Sequence, residues 1–246
     1  MRLALISDIH GNHTALEAVL DDIRSQHADQ IICLGDVATI GLQPKEVLTS
    51  LKELDCVCIM GNHDAALLDP ARVADFQIAE SLFSTVQWCW QDMAADDFDF
   101  LRSFRTTCKL DLGNALSMLC FHGSPRSNTD LILSTTAEGM LDDLFAGQSA
   151  TILAGGHSHI QMVRQYGRQV ILNPGSIGNA FLYPFTPGSV TPSLLPLAEY
   201  AIVSVEKGGW SADLRRVPFD TQAVYRLADA SDNPSRAWWL EQYSKT

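Results

Sequence analysis

Residues 2–10 read RLALISDIH, a short apolar run that leads at once to an aspartate and a histidine. The same succession of an apolar run and a short polar block occurs four more times along the chain. The five blocks are Asp8-Ile9-His10, Gly35-Asp36, Gly61-Asn62-His63-Asp64, His122-Gly123 and Gly156-His157-Ser158-His159. Apolar runs of this length are typical of buried β-strands. Polar residues that follow the carboxyl ends of neighbouring strands meet in one crevice at the sheet edge, so the pattern predicts a shared site.

The chain before and between the first three blocks alternates strand and helix patterns. The predicted elements are strands at 2–6, 31–34 and 56–60, a helix that begins near Thr14, and a second helix over 44–54 that begins with Pro44. A βαβαβ succession implies parallel strands joined by right-handed crossovers. The first three blocks are therefore expected along the same edge of one sheet.

The later part of the chain predicts further strands and fewer helices. The expected elements are a hairpin over 109–121 around Gly113-Asn114, a helix near 135–146, a strand at 151–154, a hairpin over 161–172 around Gly167, strands near 199–205 and 210–217, and a C-terminal helix that contains Trp238 and Trp239. The fourth and fifth blocks follow two of these strands. They can thus join the first three blocks at a sheet edge.

Two segments interrupt this alternation. Residues 70–105 are rich in helix formers and predict an inserted helical segment, in which Trp88 and Trp90 are interpreted as core packing rather than as the roof of a pocket. Residues 173–198 are rich in proline and glycine and predict a long loop. Its aromatic residues either border the site or cover the core, and they are Phe181, Tyr183 and Phe185.

Composition indicates one globular domain over residues 1–246, since 46% of the residues are hydrophobic. The net charge of −12 disfavours a nucleic-acid partner, because nucleic-acid binders usually present a basic face. The amino terminus lacks the pattern of a signal peptide, and no apolar run is long enough to span a membrane. We therefore expect a cytoplasmic protein without a membrane partner, in which the six cysteines are buried thiols.

The side chains of the five blocks suit divalent metal ions. Two aspartates, four histidines and one asparagine offer a mixture of oxygen and imidazole nitrogen ligands. This mixture is enough for two ions and disfavours calcium, which prefers oxygen ligands alone. Manganese is the first expectation, with iron, zinc, nickel, cobalt or magnesium as alternatives. Each block taken alone is also compatible with an ordinary turn or a buried histidine, so the prediction depends on their order.

The order Asp-x-His, Gly-Asp, Gly-Asn-His-Asp, His-Gly and Gly-His-x-His resembles the calcineurin-like metallophosphoesterase family. The resemblance covers residues 1 to about 180 and is similar to the small prokaryotic phosphodiesterase-like branch, including Asn173-Pro174-Gly175-Ser176. It implies an α/β fold of four layers, an αββα β-sandwich flanked by helices. The strand and helix pattern alone does not distinguish this fold from an open, doubly wound sheet.

The resemblance also implies a role for each polar block. The implied metal ligands are Asp8, His10 and His159 for one ion, Asn62, His122 and His157 for the other, and Asp36 between the two ions. His63 is left free and is the candidate catalytic residue, which protonates the leaving alkoxide or stabilises its charge. Asp64 either orients the His63 imidazole or caps a helix.

The implied activity is hydrolysis of a phosphoester bond by a hydroxide that bridges two metal ions. The segments Val37-Ala38-Thr39 and Asp64-Ala65-Ala66 lack the aspartate and the arginines that protein phosphatases carry there. A small phosphodiester, a nucleotide or a dinucleoside polyphosphate is therefore the expected substrate. The alternatives are a non-catalytic metal-binding interaction module with the same fold, or a nuclease. The oligomeric state stays open.

Two further polar residues are weaker candidates for substrate contact. Asn12 can reach a phosphate, but it also suits the N-cap of the helix that follows it. Arg126 can clamp a phosphate, but an arginine in a loop is more often exposed to solvent. Capping and exposure are the favoured interpretations, so neither residue is assigned to the site.

Overall fold

Two mixed β-sheets of five strands each lie face to face. The computed structural model describes residues 1–184, 192–207 and 209–244. The first sheet contains β1 (Arg2–Ile6), β2 (Gln30–Cys33), β3 (Val57–Cys58), β9 (Leu197–Glu206) and β10 (Gly209–Pro218). The second sheet contains β4 (Cys108–Gly113), β5 (Leu116–Cys120), β6 (Ile152–Ala154), β7 (Met162–Tyr166) and β8 (Gln169–Asn173).

Parallel strands occupy a continuous part of each sheet. The strand order of the first sheet is β10-β9-β1-β2-β3, in which β1, β2 and β3 are parallel and β9 and β10 are antiparallel to their neighbours. The order of the second sheet is β4-β5-β6-β8-β7, in which β5, β6 and β8 are parallel. The two predicted hairpins, β4–β5 and β7–β8, form its antiparallel margins.

Alternation along the strands explains why the two sheets stack. Successive side chains of a strand point to opposite faces, so an entirely apolar strand must be covered on both sides. In β1, Leu5 packs between the sheets, whereas Ile6 packs towards the helices. In β6, Ile152 packs between the sheets and Leu153 packs on the outer side. Both sheets are thus buried on two faces.

Helices cover the outer faces of both sheets. The helices on the first sheet are α1 (His13–Ser25), α2 (Pro44–Leu54), α3 (Asn62–Leu68), α4 (Phe83–Gln91) and α5 (Ala95–Arg102). On the second sheet lies α6 (Glu138–Leu144). Two C-terminal helices, α7 (Thr221–Ala230) and α8 (Arg236–Tyr243), pack around Ile40. The four-layer αββα arrangement confirms the predicted fold class.

Some predicted element boundaries were wrong. The strand predicted at 56–60 is shorter, because after β3 the chain pairs with Arg105, whose carbonyl oxygen accepts the Met60 N–H at 2.8 Å. The segment 70–105 is helical as predicted, although part of it forms the 3₁₀ turns Pro70–Phe76 and Glu80–Leu82. A single C-terminal helix was predicted, whereas the chain forms α7 and α8.

The interpretation of the tryptophans was correct for one of the pair. Trp88 packs partly buried against the core and donates its indole N–H to Asp232 at 2.8 Å. Trp90 is 41% exposed and lies beside Phe98, so it is not part of the core.

The cysteines and the helices bear on two other expectations. All six cysteines are free; five are buried, and Cys56 is partly exposed. Among the described residues, every helix is too short or too polar to cross a lipid bilayer. Of the three loop aromatics, Phe185 lies outside the described residues.

Because the two sheets stack, we expect the stability of the protein to depend strongly on the apolar side chains packed between them. Leu5 is fully buried there, so Leu5→Ala removes apolar contacts and leaves a cavity. We expect its free energy of unfolding to fall by about 2–5 kcal/mol in urea denaturation. The matched change Val163→Ala, at a side chain 52% exposed, should alter it by no more than about 0.5 kcal/mol. Equal losses in the two variants would contradict this arrangement of the core.

Candidate metal centre

The five polar blocks meet where the parallel strands of both sheets end. Asp8 follows β1, and its main-chain N–H donates to the Gly35 carbonyl oxygen of the second block at 2.9 Å. Between the sheets, the His157 N–H donates to the Asp8 carboxylate at 3.0 Å. The His122 carbonyl oxygen accepts the Gly156 N–H at 2.8 Å. The structure therefore brings all five predicted blocks together.

Six of the seven predicted ligands form two groups with metal-binding geometry. The first group is Asp8, His10 and His159, and the second is Asp36, His122 and His157; within each group the ligand atoms lie within 4.8 Å of one another. The groups are adjacent, because His10 Nε2 is 3.9 Å from Asp36 Oδ2. Asp36 thus belongs to the second group, and its Oδ2 atom also lies close to His10 of the first group.

Asn62, the seventh predicted ligand, lies beside the second group. Its side-chain N–H donates to the Phe76 carbonyl oxygen at 2.9 Å, which directs the amide oxygen to the opposite side. That oxygen lies 3.2 Å from His122 Nε2. Because Asn62 is the first residue of α3, the start of this helix sets its position.

Two of the histidines are oriented by main-chain carbonyl groups. His122 Nδ1 donates to the Leu34 oxygen at 2.7 Å, and His159 Nδ1 donates to the Asn179 oxygen at 2.8 Å. A carbonyl oxygen only accepts, so Nδ1 of each ring carries a proton and Nε2 faces the site. This arrangement is typical of histidines that bind metal ions.

The backbone of the blocks adopts the left-handed conformation. Five of the seven predicted ligands have positive φ angles, namely Asp8 (52°), His10 (46°), Asp36 (58°), His157 (67°) and His159 (56°). This conformation is unfavourable for residues other than glycine, by about 1–2 kcal/mol each. Such strain is concentrated at functional sites, where the surrounding structure maintains it.

The charges in this cluster are strongly coupled. Burial opposes a charge on Asp8, but the His159 and His122 imidazoles outweigh burial and lower the pKa of Asp8 to about 2. Burial also opposes a charge on His122, whereas the neighbouring Asp36 carboxylate raises the pKa of His122 to about 10. Burial, assisted by His122, lowers the pKa of His157 to about 4.

The donor set fits a divalent cation. Asp8 Oδ1 is buried and has no hydrogen-bond donor among the described residues, although it lies 3.3 Å from His159 Nε2. The Nε2 atoms of His10 and His159 are only 3.1 Å apart. Converging carboxylate oxygens and imidazole nitrogens in a buried cluster suit manganese, iron or zinc chemically.

Comparison with known proteins identifies the family. The description "Calcineurin-like phosphoesterase superfamily domain" belongs to a family model that matches residues 1–208. The chain belongs to the calcineurin-like phosphoesterase superfamily. This assignment confirms the resemblance inferred from the five blocks, and the family is metal-dependent.

Relatives of similar length support the same assignment. An uncharacterized protein of Methanocaldococcus jannaschii, MJ0912, is 26% identical over 225 residues, which cover 91% of this chain and 90% of the relative. A metallophosphoesterase from Sphaerobacter thermophilus has a TM-score of 0.73 at 21% identity, with 99% of each chain covered. The hypothetical protein PH1004 from Pyrococcus horikoshii has a TM-score of 0.78 at 18% identity, covering 98% of this chain and 97% of that one. At these identities the two structures show the common phosphoesterase fold.

His63, the predicted catalytic residue of this phosphoesterase, lies beside the ligand groups. Its main-chain N–H donates to Asp36 Oδ1 at 2.9 Å, and its ring centroid is 5.0 Å from that of His10. The buried Nδ1 atom has no hydrogen-bond partner among the described residues. His63 is thus placed next to the site without belonging to either group of three.

Asp64 orients the backbone rather than the His63 imidazole. Its carboxylate accepts N–H groups from Asp36 at 2.7 Å, Val37 at 2.9 Å and Gly61 at 3.0 Å. Of the two predicted alternatives for Asp64, capping is supported in modified form: Gly61 is the N-cap of α3, and Asp64, in the first turn, accepts the Gly61 N–H as the third residue of a capping box. Burial and the charge of Asp36 raise the pKa of Asp64, while its three N–H donors favour the charged form.

The segment after β8 contains positioning residues that were not predicted. Asn173 donates to the Gly156 carbonyl oxygen at 2.6 Å, and Ser176 donates to the Asp8 carbonyl oxygen at 2.7 Å. With Asn179 on His159, this segment holds the first and fifth blocks. The Asn173-Pro174-Gly175-Ser176 motif was the sequence signal available for these roles.

Asn12 and Arg126 have structural partners outside the ligand groups. The Asn12 side-chain oxygen accepts the Ala15 N–H at 3.1 Å, so Asn12 caps α1 as favoured. The Arg126 guanidinium is more than half exposed and lies 3.4 Å from an Asp130 oxygen. Both favoured interpretations are confirmed.

The contacts of Asp64 lead to a prediction about the centre. Asp64→Asn replaces one acceptor oxygen by an NH₂ group. At least one of the main-chain N–H groups that donate to Asp64 then has no acceptor. We expect the free energy of unfolding to fall by about 1–3 kcal/mol and Mn²⁺ affinity to weaken, because Asp36 loses its support. Urea denaturation and calorimetric titration measure the two effects. Asp96→Asn, at an exposed carboxylate, is the matched control, and an Asp64 variant that behaves like it would contradict the positioning role.

Proposed function

We propose that this phosphoesterase hydrolyses a small phosphodiester, a nucleotide or a dinucleoside polyphosphate with the aid of two divalent metal ions. The observation that carries the proposal is the adjacency of two buried ligand groups and a histidine outside both of them. Membership of the superfamily supports hydrolysis of phosphoesters in general. The dinuclear mechanism and the substrate class are the steps that need experiments.

The proposed ligand sets follow the two groups. Asp8, His10 and His159 would hold one ion, whereas Asn62, His122 and His157 would hold the other, with Asp36 shared between them. Asp36 is suited to sharing because its Oδ2 lies 3.2 Å from His122 Nε2 and 3.9 Å from His10 Nε2. When bound, the two ions supply a water-derived nucleophile at neutral pH and neutralise the phosphate oxygens.

His63 is proposed to donate a proton to the leaving oxygen of the substrate. General acid catalysis requires an imidazole that is close to the reacting centre but is not itself a ligand. The backbone of His63 is anchored on Asp36, and its Nδ1 makes no competing hydrogen bond among the described residues. These contacts support His63 as the proton donor at the edge of the two groups.

The charges around the centre favour a diester over a monoester. Within residues 1–184, 192–207 and 209–244, Asp8 and Asp36 form ion pairs with histidines alone. The Arg126 guanidinium is paired with Asp130, so it does not provide the extra cation that a phosphomonoester dianion would need. The net charge of −12 also disfavours the alternative of a nuclease. Manganese as the metal and a cytoplasmic location remain parts of the proposal.

Asp36→Asn tests the shared ligand. Replacing one carboxylate oxygen by an amide removes the charge that both ions would share, so metal occupancy should fall. Wild-type protein should retain two equivalents of Mn²⁺ after dialysis, one for each ligand group, and the variant should retain fewer. Inductively coupled plasma mass spectrometry measures the content. Asp99→Asn, at a carboxylate 78% exposed, is the control, and equal metal contents would exclude Asp36 as a ligand.

His63→Ala tests the proton donor through the leaving group. With Mn²⁺ bound, the variant should lose about 100- to 10,000-fold in kcat for a dialkyl phosphate, whose alkoxide needs a proton. It should lose much less for bis(4-nitrophenyl) phosphate, because 4-nitrophenolate leaves without one. His13→Ala, at a partly buried histidine whose Nε2 is hydrogen-bonded to Ser50 away from the ligand groups, is the control.

The outcomes of this experiment separate the alternatives. An equal loss for both leaving groups would assign His63 to transition-state binding rather than proton transfer. If wild-type protein that contains two equivalents of Mn²⁺ cleaves neither ester, an enzymatic function is excluded. The non-catalytic metal-binding module is then favoured. Cleavage of DNA in preference to small diesters would instead support a nuclease.

A further inference from the structure

An apolar rim lies beside the first ligand group. We define the rim as Phe181, Leu182 and Tyr183. The Phe181 ring stacks on the His159 imidazole, with ring centroids 4.3 Å apart and planes inclined by 26°. Because His159 belongs to the first group, the rim begins one ring away from a proposed metal ligand. Any phosphoester held by the centre would lie close to it.

Main-chain hydrogen bonds hold the rim in place. The Phe181 N–H donates to the His159 carbonyl oxygen at 3.2 Å, and the Leu182 N–H donates to the Ser193 oxygen at 2.9 Å. Phe181 also pairs with Leu194 in an antiparallel bridge. The rim is thus anchored both to the ligand loop and to the chain that returns towards β9.

The side chains of the rim are accessible. Phe181 is only partly buried, Leu182 is 47% exposed and Tyr183 is 73% exposed. Single exposed apolar residues are ordinary on a protein surface, but here two of them are consecutive and directly follow Phe181, which stacks on the buried His159. For Phe181, the question left open by the sequence is answered, because this ring borders the first ligand group.

The chemistry of the rim is selective for one kind of group. None of its three side chains carries a formal charge, so it interacts through dispersion and ring stacking rather than through ion pairs. An aromatic ring in the substrate would stack on Phe181 or Tyr183. A saturated ring of similar size would gain only the apolar contact. Stacking of one ring pair corresponds to a preference of about 2- to 12-fold.

We propose that the rim selects phosphodiesters whose leaving alcohol carries an aromatic ring, the class to which nucleosides belong. This inference rests on the proposed phosphoesterase function and names the group that distinguishes its substrates. The phosphate would be recognised at the two ligand groups, while the aromatic ring would be recognised at Phe181 and Tyr183. Phe181 and Tyr183 are therefore specificity-determining residues.

The test compares two diesters that differ only in aromaticity. Benzyl methyl phosphate and cyclohexylmethyl methyl phosphate have leaving alcohols of similar size and reactivity. With Mn²⁺-loaded protein, kcat/KM should favour the benzyl ester by about 2- to 12-fold, mainly through KM. Tyr183→Ala and Phe181→Leu should bring this ratio towards one. Val163→Ala, at an exposed residue of β7, should leave it unchanged.

A binding measurement separates this inference from the proposed function. Benzylphosphonate and cyclohexylmethylphosphonate cannot undergo the hydrolysis and can be titrated calorimetrically into the Mn²⁺-loaded protein. If the aromatic phosphonate binds more tightly and Tyr183→Ala abolishes that preference, the role of the rim is supported. This holds even if neither diester is cleaved, because absence of cleavage contradicts only the proposed function. Equal binding of both phosphonates, or a preference unchanged in both rim variants, overturns the inference.

Discussion

The burial of two carboxylates side by side is the constraint on which the rest of this structure depends. Asp8 and Asp36 are almost completely inaccessible, and an unpaired buried carboxylate is very costly. Each has one oxygen satisfied by the protein: Asp8 accepts from Ser7 Oγ at 2.6 Å, and Asp36 accepts from the His63 N–H. The other oxygens, Asp8 Oδ1 and Asp36 Oδ2, are directed to the histidines. One oxygen of each carboxylate is thus hydrogen-bonded within the scaffold, and the other oxygen faces the histidines of the site.

The stacking of two sheets follows from the same constraint. One parallel sheet brings together the residues that follow β1, β2 and β3, which supply both aspartates but too few histidines. The second sheet adds His122 after β5 and His159 after β6. Hydrogen bonds between blocks of different sheets, such as that from the His157 N–H to Asp8, join the two edges. The segment after β8 reinforces this junction, because Asn179 orients His159 and Ser176 binds the Asp8 main chain.

The sequence predicted which polar blocks meet at one site better than it predicted the residues that position them. The five blocks and the βαβαβ succession follow from local apolar runs, and these signals do not depend on distant contacts. The sandwich was implied only by the family resemblance, since a strand such as β1, apolar from Leu3 to Ile6, is equally compatible with helices on both faces of one sheet. The support that Asp64 gives to the second block could not be predicted, because two of its three main-chain N–H partners lie 27 and 28 residues away. The early end of β3 likewise arises from pairing with the distant Arg105.

The strained backbone of the blocks argues for a site that is formed before its substrate arrives. Left-handed conformations at Asp8 and Asp36 persist only where neighbouring contacts maintain them, and here those contacts are hydrogen bonds within the protein. The histidine tautomers are likewise determined by the Leu34 and Asn179 carbonyl groups rather than by a ligand. Under the proposed function, a preformed centre of this kind would bind the phosphate group of any phosphoester. Discrimination among phosphoesters would then arise outside the centre, for example at Phe181, whose ring stacks on the His159 imidazole.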